Sequence, residues 1–240
     1  MNLSLLPIRT GVEHLSQIPL IFDGLRWLLE GGHLAHRRLL AQHFRSTALR
    51  VLDCGCGTGI FARAFSPQAY VGIDICPRYI AHAQSRHPNH HFYPMDAKRL
   101  TFAAESFDAV IVSGVIHHLS NSDVRGVLRE ISRVLKPEGL LLIWEDVPTR
   151  HPLNWIGHVV HALDVGCHIR SSKDYAALLS EMFCVADAFP MRSGFMDYSV
   201  FRCRKLSGIS TTATTLVTDT PVTLPSYPRG PMGSAEGCLS

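Results

Sequence analysis

Residues 49–59 read LRVLDCGCGTG, and this stretch decides the fold class. An apolar strand comes first and ends in Asp53, and residues 60–63, where we expect a helix to begin, come last. Between them alternate three glycines: Gly55, Gly57 and Gly59. Glycines at a strand-to-helix turn let the backbone approach a ligand because no Cβ stands in the way, and the free amides of the helix start add partial positive charge. The stretch therefore predicts a ligand at the end of the first strand.

The spacing of these glycines separates two classes of cofactor. A dinucleotide-binding turn follows the pattern G-x-G-x-x-G, and its amides hold a pyrophosphate. Here the third glycine comes one residue early, and Asp53 stands two residues before the first. A carboxylate at that place would repel a pyrophosphate but attract an ammonium group. The loop therefore predicts a nucleoside ligand with a zwitterionic amino-acid tail.

A second strand at residues 69–74 ends in another acid, Asp74. It follows Asp53 by about 20 residues, the interval at which a carboxylate at the end of the second strand meets the hydroxyls of a ribose. Pro77 then stands where proline is favoured, in the first turn of a helix. Asp74 is therefore the predicted ribose-binding residue.

The rest of the chain alternates between predicted strands and helices. Further strands are predicted over residues 91–97, 107–113, 140–144, 183–192 and 196–204, and further helices over residues 33–44, 122–135 and 174–182. The strand at 140–144 is apolar on both faces, as buried parallel strands are. The helix at 122–135 has apolar residues at i, i+3, i+4 and i+7, the pattern of a helix packed on a sheet. Residues 136–139 read as a turn between the two.

In order and at normal spacing, the motifs of residues 49–146 resemble those of the class I S-adenosylmethionine-dependent methyltransferases, and among them the small-molecule enzymes of the ubiquinone/menaquinone type. Asp-x-Gly-x-Gly-x-Gly is similar to their motif I. The resemblance implies an α/β, Rossmann-like fold: a seven-stranded, mostly parallel sheet in the order 3-2-1-4-5-7-6, with the last strand antiparallel and helices on both faces. It also implies S-adenosylmethionine as the cofactor.

The resemblance assigns roles to residues along the carboxyl edge of the sheet. The implied cofactor-binding residues are Asp53, Gly55, Gly57, Gly59, Asp74, Ile75, Asp96, Ala97, Ser113 and His118. Among them, Asp96 is expected to contact the adenine amino group and Ala97 to add a backbone contact. His117 and His118 follow the fourth strand beside the expected methyl position, and they are the candidate catalytic bases. For His118, packing or contact with the cofactor is the alternative.

The predicted function is transfer of a methyl group to an O, N or C atom of a small-molecule metabolite. The alternative is a protein that binds the cofactor without methylating, as a cyclase or a regulatory partner. Nucleic-acid amino-methyltransferases carry Asn/Asp-Pro-Pro-Tyr after the fourth strand and cytosine-C5 enzymes carry Pro-Cys, whereas residues 113–116 read SGVI. A net charge of +3 without a dense run of Lys and Arg also argues against a nucleic-acid partner.

Domain boundaries follow from composition and from the family pattern. A methyltransferase domain is predicted over residues 1–206, made of an N-terminal helical cap (1–47), a cofactor-binding core (48–147) and a substrate-lid insert (148–170). The tail, 207–240, is rich in Thr, Ser, Pro and Gly and is predicted to be disordered, because it cannot bury enough apolar surface to offset its chain entropy.

Contacts with the substrate are expected from the cap and from the insert. Phe22 and Trp27 lie in the cap, where family members commonly cover the cofactor, and simple packing on the sheet edge is the plainer alternative. Trp155 and His158 lie in the insert. Aromatic and imidazole groups suit an apolar, partly conjugated substrate better than a polyanion.

No metal site and no membrane span are predicted. Cys54 and Cys56 lack the second pair that a zinc site of four ligands needs, and no carboxylate pattern completes a site around His158 and His161. No segment reaches the roughly 18 apolar residues that cross a bilayer. The seven dispersed cysteines predict reduced thiols and a cytoplasmic setting. The oligomeric state, monomer or homodimer, stays open.

Overall fold

The computed structural model describes residues 18–44, 46, 49–163 and 168–206, without the side chains of residues 22, 162 and 163. The strands are β1 (Val51–Cys54), β2 (Tyr70–Asp74), β3 (His91–Pro94), β4 (Phe107–Ser113), β5 (Leu135–Asp146), β6 (Phe183–Ser193) and β7 (Met196–Lys205). The α-helices are α1 (Pro19–Leu29), α2 (Leu34–His43), α3 (Pro77–Arg86), α4 (Asn121–Val134), α5 (Trp155–Leu163) and α6 (Ser172–Ser180). Short 3₁₀ helices lie at Gly31–His33, Ala62–Ala64 and Ile116–His118.

The strands form one seven-stranded sheet in the order β3-β2-β1-β4-β5-β7-β6. β1 pairs in parallel with β2 and β4, while β7 pairs antiparallel with β5 and β6. The predicted fold class, strand order and antiparallel last strand are confirmed. Because the chain turns from one side of β1 to the other, the carboxyl end of this strand lies at the switch point where open α/β sheets bind ligands.

Neighbouring residues of the central strands enter opposite cores, because successive side chains of a strand point to opposite faces. In β5, Ile143 packs with α4 and α6, whereas Trp144 packs with α2. α4 buries the apolar stripe expected of it, and Ser120 caps it by accepting a hydrogen bond from the Asp123 amide at 3.2 Å. Both faces of the sheet are therefore covered, which explains the unbroken apolar runs of the sequence.

Three local predictions are wrong. No α-helix follows the glycine loop: the chain makes only the 3₁₀ turn at Ala62–Ala64, because Phe61 is anchored in the core against Trp144 and Pro67 soon follows. β3 stops at Pro94, which has no amide to donate to a ladder. Residues 136–139 belong to β5 as an irregular segment, across which the pairing with β4 shifts register.

The cap and the tail are described in part. Pro19 begins α1, and residues 1–17 lie outside the described residues, as does the tail from residue 207 onward. Within the described part of the chain, no helix combines the length and apolar character needed to cross a membrane.

Candidate functional site

The glycine loop lies at the carboxyl end of β1, with all three glycines at positive φ. A Cβ on Gly55 would collide with Val115, and one on Gly59 would come within 2.9 Å of the Phe92 ring. A Cβ on Gly57 would meet nothing within 4 Å. The outer two glycines are therefore required by packing, whereas Gly57 faces the space that a ligand would enter.

Asp53 ends the buried strand β1 and is 1% exposed. Its Oδ2 accepts a hydrogen bond from the Tyr70 hydroxyl at 2.6 Å, whereas its Oδ1 is buried without a partner among the described residues. Burial, with a smaller contribution from Asp74, raises the pKa of Asp53 to about 7. A buried carboxylate oxygen without a donor suits a cationic ligand group.

Asp74 holds the glycine loop from the end of β2. Its Oδ2 accepts from the Gly57 amide at 2.9 Å and its Oδ1 from the Cys76 amide at 2.8 Å, and burial raises its pKa. A carboxylate has about four acceptor positions, so two remain for ribose hydroxyls. Ile75, the next residue and a predicted cofactor contact, is half exposed.

The other predicted cofactor contacts are spread along this edge. Asp96 and Ala97 follow β3 and are partly exposed, and Oδ1 of Asp96 accepts the Lys98 amide at 2.8 Å. Ser113 ends β4, and its buried Oγ has no partner among the described residues. Ser113 lines the same cleft as Asp53, whereas Asp96 and Ala97 lie outside the cleft.

His117 is buried beside Glu145, which is fully buried at the end of β5. Nδ1 of His117 lies 2.8 Å from Oε2 of Glu145, and 3.8 Å from a carboxylate oxygen of Asp146. Glu145 also accepts the backbone amides of Val115 and Ile116, at 2.9 and 2.8 Å, and that of His117 at 3.3 Å. One carboxylate therefore fixes both the loop after β4 and the ring of its first histidine.

The two candidate bases differ in their surroundings. The ring of His118 packs against that of His117, with 4.0 Å between centroids. His118 is exposed, whereas His117 is buried at the carboxyl edge of the sheet. The carboxylate partner of His117 could have been suspected from the sequence, because Glu145 and Asp146 end the neighbouring strand on the same edge.

α1 crosses over the glycine loop. Asp23 accepts a hydrogen bond from the Thr58 hydroxyl. It also forms an ion pair with Arg86 of α3 at 2.7 Å. Trp27 is exposed, and the side chain of Phe22 lies outside what is described. Arg26, which sequence reasoning missed, lines the cleft with Asp53. Only its position in the apolar pattern of the helix hinted that it faces inward.

The insert is fastened at both ends. At its start, Nδ2 of Asn154 donates to the Phe195 carbonyl at 2.7 Å, in the turn between β6 and β7. At its end, Arg170 donates to the carbonyls of Ile116 and Leu119, at 3.0 and 2.6 Å. The insert is thereby bound to the loop that carries His117 and His118. Trp155, on α5, is exposed.

The two cysteines of the glycine loop are packing residues. Cys54 and Cys56 are buried, and burial raises the pKa of both thiols. With Cys184 and Cys203 they are free thiols, but Cys76 is disulfide-bonded, so the expectation of reduced thiols is wrong there. The cytoplasmic location stays a prediction.

Comparison with known proteins identifies the core of the chain. Residues 52–143 match the family described as "Methyltransferase domain". This stretch contains β1 from its second residue, β2 to β4 and the loop after β4, whereas Glu145 and Asp146 at the end of β5 lie just beyond it.

Residues 52–143 form a class I methyltransferase domain.

The family resemblance and S-adenosylmethionine as the cofactor of this methyltransferase domain are thereby confirmed. The uncharacterized methyltransferase YcgJ of Bacillus subtilis is 34% identical over 132 residues, 51% of this chain and 51% of that protein. The probable tRNA methyltransferase 9B of Homo sapiens is 38% identical over 95 residues, 39% of this chain and 20% of that protein. The demethylmenaquinone methyltransferase of Tropheryma whipplei is 30% identical over 146 residues, 55% of this chain and 60% of that protein. The chain thus spans less than two thirds of each relative.

Solved structures share the fold of the methyltransferase domain. The PH0226 protein of Pyrococcus horikoshii has a TM-score of 0.60 at 20% identity, covering 78% of this chain and 92% of that one. The [4+2]-cyclase SpnF has a TM-score of 0.58 at 21% identity, covering 72% of this chain and 81% of that one. At such identities the likeness concerns the fold alone.

The residues of the methyltransferase domain fit its cofactor. Asp53 lines the cleft where a cationic amino-acid end belongs, its Oδ1 has no partner among the described residues, and Gly57 leaves open space above the loop. Asp74 keeps acceptor capacity for a ribose. Asp53 thus suits the ammonium group of the cofactor, and Asp74 suits the two hydroxyls of its ribose.

Replacing Gly57 with alanine should weaken binding of S-adenosylhomocysteine by tenfold or more, and its φ of 53° should add a stability cost of about 1–2 kcal/mol. The new methyl group would enter the open space over the loop, where it meets no protein atom within 4 Å but would meet the ligand. Calorimetry and thermal unfolding measure the two effects. Gly59→Ala is the matched control: its Cβ would press on the Phe92 ring, so its main effect should be on stability. Undiminished affinity in Gly57→Ala would place the ligand elsewhere.

Proposed function

We propose that this protein transfers the methyl group of S-adenosylmethionine to an O, N or C atom of a small-molecule metabolite, with His117 as the general base. The pair formed by Glu145 and His117 carries this proposal. A carboxylate 2.8 Å from Nδ1 favours the tautomer with the proton on Nδ1, in which Nε2 is the accepting nitrogen. The arrangement is that of an oriented base.

Different residues of the cleft then serve different steps of methyl transfer. The cofactor, when bound, supplies a sulfonium whose methyl group is already activated. Asp53 would hold its ammonium group and Asp74 its ribose, and α1, tied to the loop through Asp23 and Thr58, would shield it from water. Orientation of this kind can contribute about 7–11 kcal/mol. His117 takes the proton that the acceptor loses, and the buried charge of Glu145 stabilises the imidazolium that results.

The acceptor is proposed to lie between α1, the insert and the loop that carries His117. These segments border the carboxyl edge, and they expose Trp27 and Trp155. Such walls suit an apolar, partly conjugated molecule. The relative named a demethylmenaquinone methyltransferase supports an acceptor of this kind.

The test is an incubation of the purified protein with S-adenosylmethionine and a panel of phenols, quinols, amines and acidic-carbon metabolites. Mass spectrometry should detect S-adenosylhomocysteine together with one acceptor that has gained a CH₂ unit. With that acceptor, His117→Gln should lower kcat by about 100-fold or more, as loss of a general base does. His118→Gln, the matched control on the adjacent residue, should change kcat by less than about tenfold.

Other products decide between this proposal and its alternatives. Conversion of a polyene or other acceptor without formation of S-adenosylhomocysteine would indicate a cyclase-like use of the bound cofactor. Tight binding of the cofactor with no product in any arm would indicate a regulatory partner. Methylation of tRNA, included because one relative carries that name, would overturn the small-molecule assignment. A kcat unaffected by His117→Gln would remove the proposed base.

A further inference from the structure

α1 is an amphipathic helix that turns its apolar side toward solvent. This side carries Ile18, Ile21, Leu25 and Leu28, at the i, i+3, i+7 and i+10 spacing of one helix face, and these residues are 42–63% exposed. Surface helices of globular proteins normally turn such a stripe toward the core. The usual orientation is therefore reversed, and an exposed apolar surface of this kind marks a place of contact with another molecule.

The polar side of α1 explains why the helix is rotated in this way. Asp23, Arg26 and Glu30 lie about half a turn away from the apolar stripe, at about 100° per residue. Asp23 accepts a hydrogen bond from the Thr58 hydroxyl and pairs with Arg86 at 2.7 Å. Nε of Arg26 donates to Oε1 of the buried Glu30 at 2.6 Å. Because these polar contacts face the protein, the apolar stripe is held on the outside.

The end of α1 is also fixed to the sheet through its backbone. The Ser193 hydroxyl donates to the carbonyl of Glu30 at 2.6 Å, and the Phe195 amide donates to that of Leu29 at 2.8 Å. Gly194, between them, has a φ of 58°, and a Cβ there would collide with the Leu29 carbonyl. The turn between β6 and β7 thus sets the rotation of α1 together with its polar side chains.

The insert continues the exposed apolar surface. Leu153, Trp155 and Val159 are exposed on it, with Trp155 at 67%. Phe195, itself 40% exposed, joins the insert to α1, because its amide donates to Leu29 while its carbonyl accepts the side chain of Asn154 at 2.7 Å. The exposed apolar side chains of α1, of residues 153–159 and of Phe195 therefore form one surface, called the apolar face below.

The exposed charges next to the apolar face are of one sign. Residues 18–44 and 148–163 contain two acids, Asp23 and Glu30, and both are paired, with side chains 15% and 5% exposed. In contrast, Arg37 and Arg38 are exposed on α2, which follows α1 in the chain, and Arg150 is exposed at the start of the insert. Within these two ranges, the apolar face is therefore bordered by exposed basic residues.

Apolar and basic residues in this arrangement suit the surface of a bilayer that contains anionic lipids. An amphipathic helix lies in the plane of such a surface, with its apolar side at the boundary between head groups and acyl chains and its basic residues near the head groups. Tryptophan favours the same boundary, and Trp27 and Trp155 are exposed. A nucleic acid offers negative charge but no apolar layer. A symmetric second copy would bring the basic residues of two copies together.

We propose that the apolar face binds the surface of a bilayer containing anionic phospholipids, with the exposed residues of α1 and of the insert at the head-group boundary. This goes beyond the proposed function, because binding to a bilayer does not require methyl transfer. Its test needs no acceptor, and its failure leaves the proposed reaction standing. The face borders the proposed acceptor site, so an apolar acceptor would reach that site directly from the bilayer.

The test measures binding of the whole chain to two kinds of vesicle, one of phosphatidylcholine alone and one of equal parts phosphatidylcholine and phosphatidylglycerol. Sedimentation gives the bound fraction, which should correspond to at least about tenfold stronger partition into the anionic vesicles and should fall at high salt. The chain has three tryptophans, and Trp144 is fully buried. Quenching of tryptophan fluorescence by lipids brominated in their acyl chains therefore reports whether Trp27 and Trp155 enter the bilayer.

Two double variants test the apolar and the basic part separately. Leu25→Ser with Leu28→Ser should weaken partition into anionic vesicles by about tenfold or more and remove the quenching, because the apolar side chains that enter the bilayer are lost. Arg37→Glu with Arg38→Glu should weaken partition to a similar extent. All four side chains are exposed, so the melting temperature and the Kd of S-adenosylhomocysteine should stay near those of the wild type.

A matched control changes the net charge by the same amount elsewhere. Arg129 of α4 and Arg204 at the end of β7 are exposed, and Arg129→Glu with Arg204→Glu should bind vesicles like the wild type. Equal binding by all variants, or no binding of the wild type to either vesicle, would overturn the proposal. Binding without tryptophan quenching would reduce it to a charge contact and overturn insertion. A dimer in light scattering that dissociates in the Leu25→Ser, Leu28→Ser variant would assign the face to a second copy instead.

Discussion

Replacing Asp53 with asparagine should weaken binding of S-adenosylhomocysteine by about 100-fold or more, because loss of one partner of a buried ion pair costs about 3–5 kcal/mol. The same replacement should make the ligand-free protein more stable at pH 8. Burial raises the pKa of Asp53 from an ordinary 3.8 to about 7. At pH 8 the folded protein therefore holds a buried charge that costs roughly 4 kcal/mol at most, and an amide removes that cost.

The sign of the pH dependence follows from the raised pKa. A carboxyl group that binds its proton more tightly in the folded state stabilises the fold below about pH 4, and this contribution is lost as the pH rises to about 7. Urea unfolding of both proteins at pH 5 and pH 8 tests this. The stability of Asp53→Asn relative to wild type should be higher at pH 8 than at pH 5. An equal difference at both values would mean that Asp53 titrates normally.

Replacing Glu145 with alanine should lower turnover by about 100-fold or more and also lower the melting temperature. The change would leave three backbone amides of residues 115–117 and the His117 ring without their acceptor. Each buried donor left unpaired costs about 1–3 kcal/mol, so the loop would leave its present conformation and carry the base with it. Turnover at saturating cofactor and thermal unfolding measure the two effects.

Two variants complete this experiment. Glu138 lies on the same strand, but its side chain is 73% exposed. Glu138→Gln should therefore leave the turnover and the melting temperature nearly unchanged. Glu145→Gln keeps the volume of the side chain and one carbonyl oxygen, and it should restore much of the stability but little of the turnover. If the glutamine variant turns over normally, the negative charge beside His117 has no part in the reaction.

Those parts of the fold that depend on local pattern could be predicted from the sequence. β1, β2 and the glycine loop are specified by short runs of residues, and Asp53 and Asp74 stand at fixed places relative to them. The strand order came from the family resemblance and is confirmed. Local propensity failed after the loop, where Phe61 packs against Trp144 and the chain makes only a 3₁₀ turn.

The missed parts of the candidate site depend on contacts between distant segments. Arg26 enters the cleft only because the turn at residues 193–195 fixes the end of α1, far along the chain from it. The pairing of Glu145 with His117 needs the register of β4 against β5. Neither contact leaves a periodic or motif-like signal, so both require the folded chain.

Phe195 has a consequence for how the two ligands affect each other's binding. Its amide holds α1 at Leu29, and its carbonyl receives the side chain of Asn154 from the insert. The proposed cap over the cofactor and the proposed cover over the acceptor are thus both held by one residue. Ordering either cover lowers the entropy that remains to be lost by the other, so each ligand strengthens the binding of its companion by the same factor. Such reciprocity sets no preferred order: whichever ligand arrives first, the other finds its enclosure half assembled.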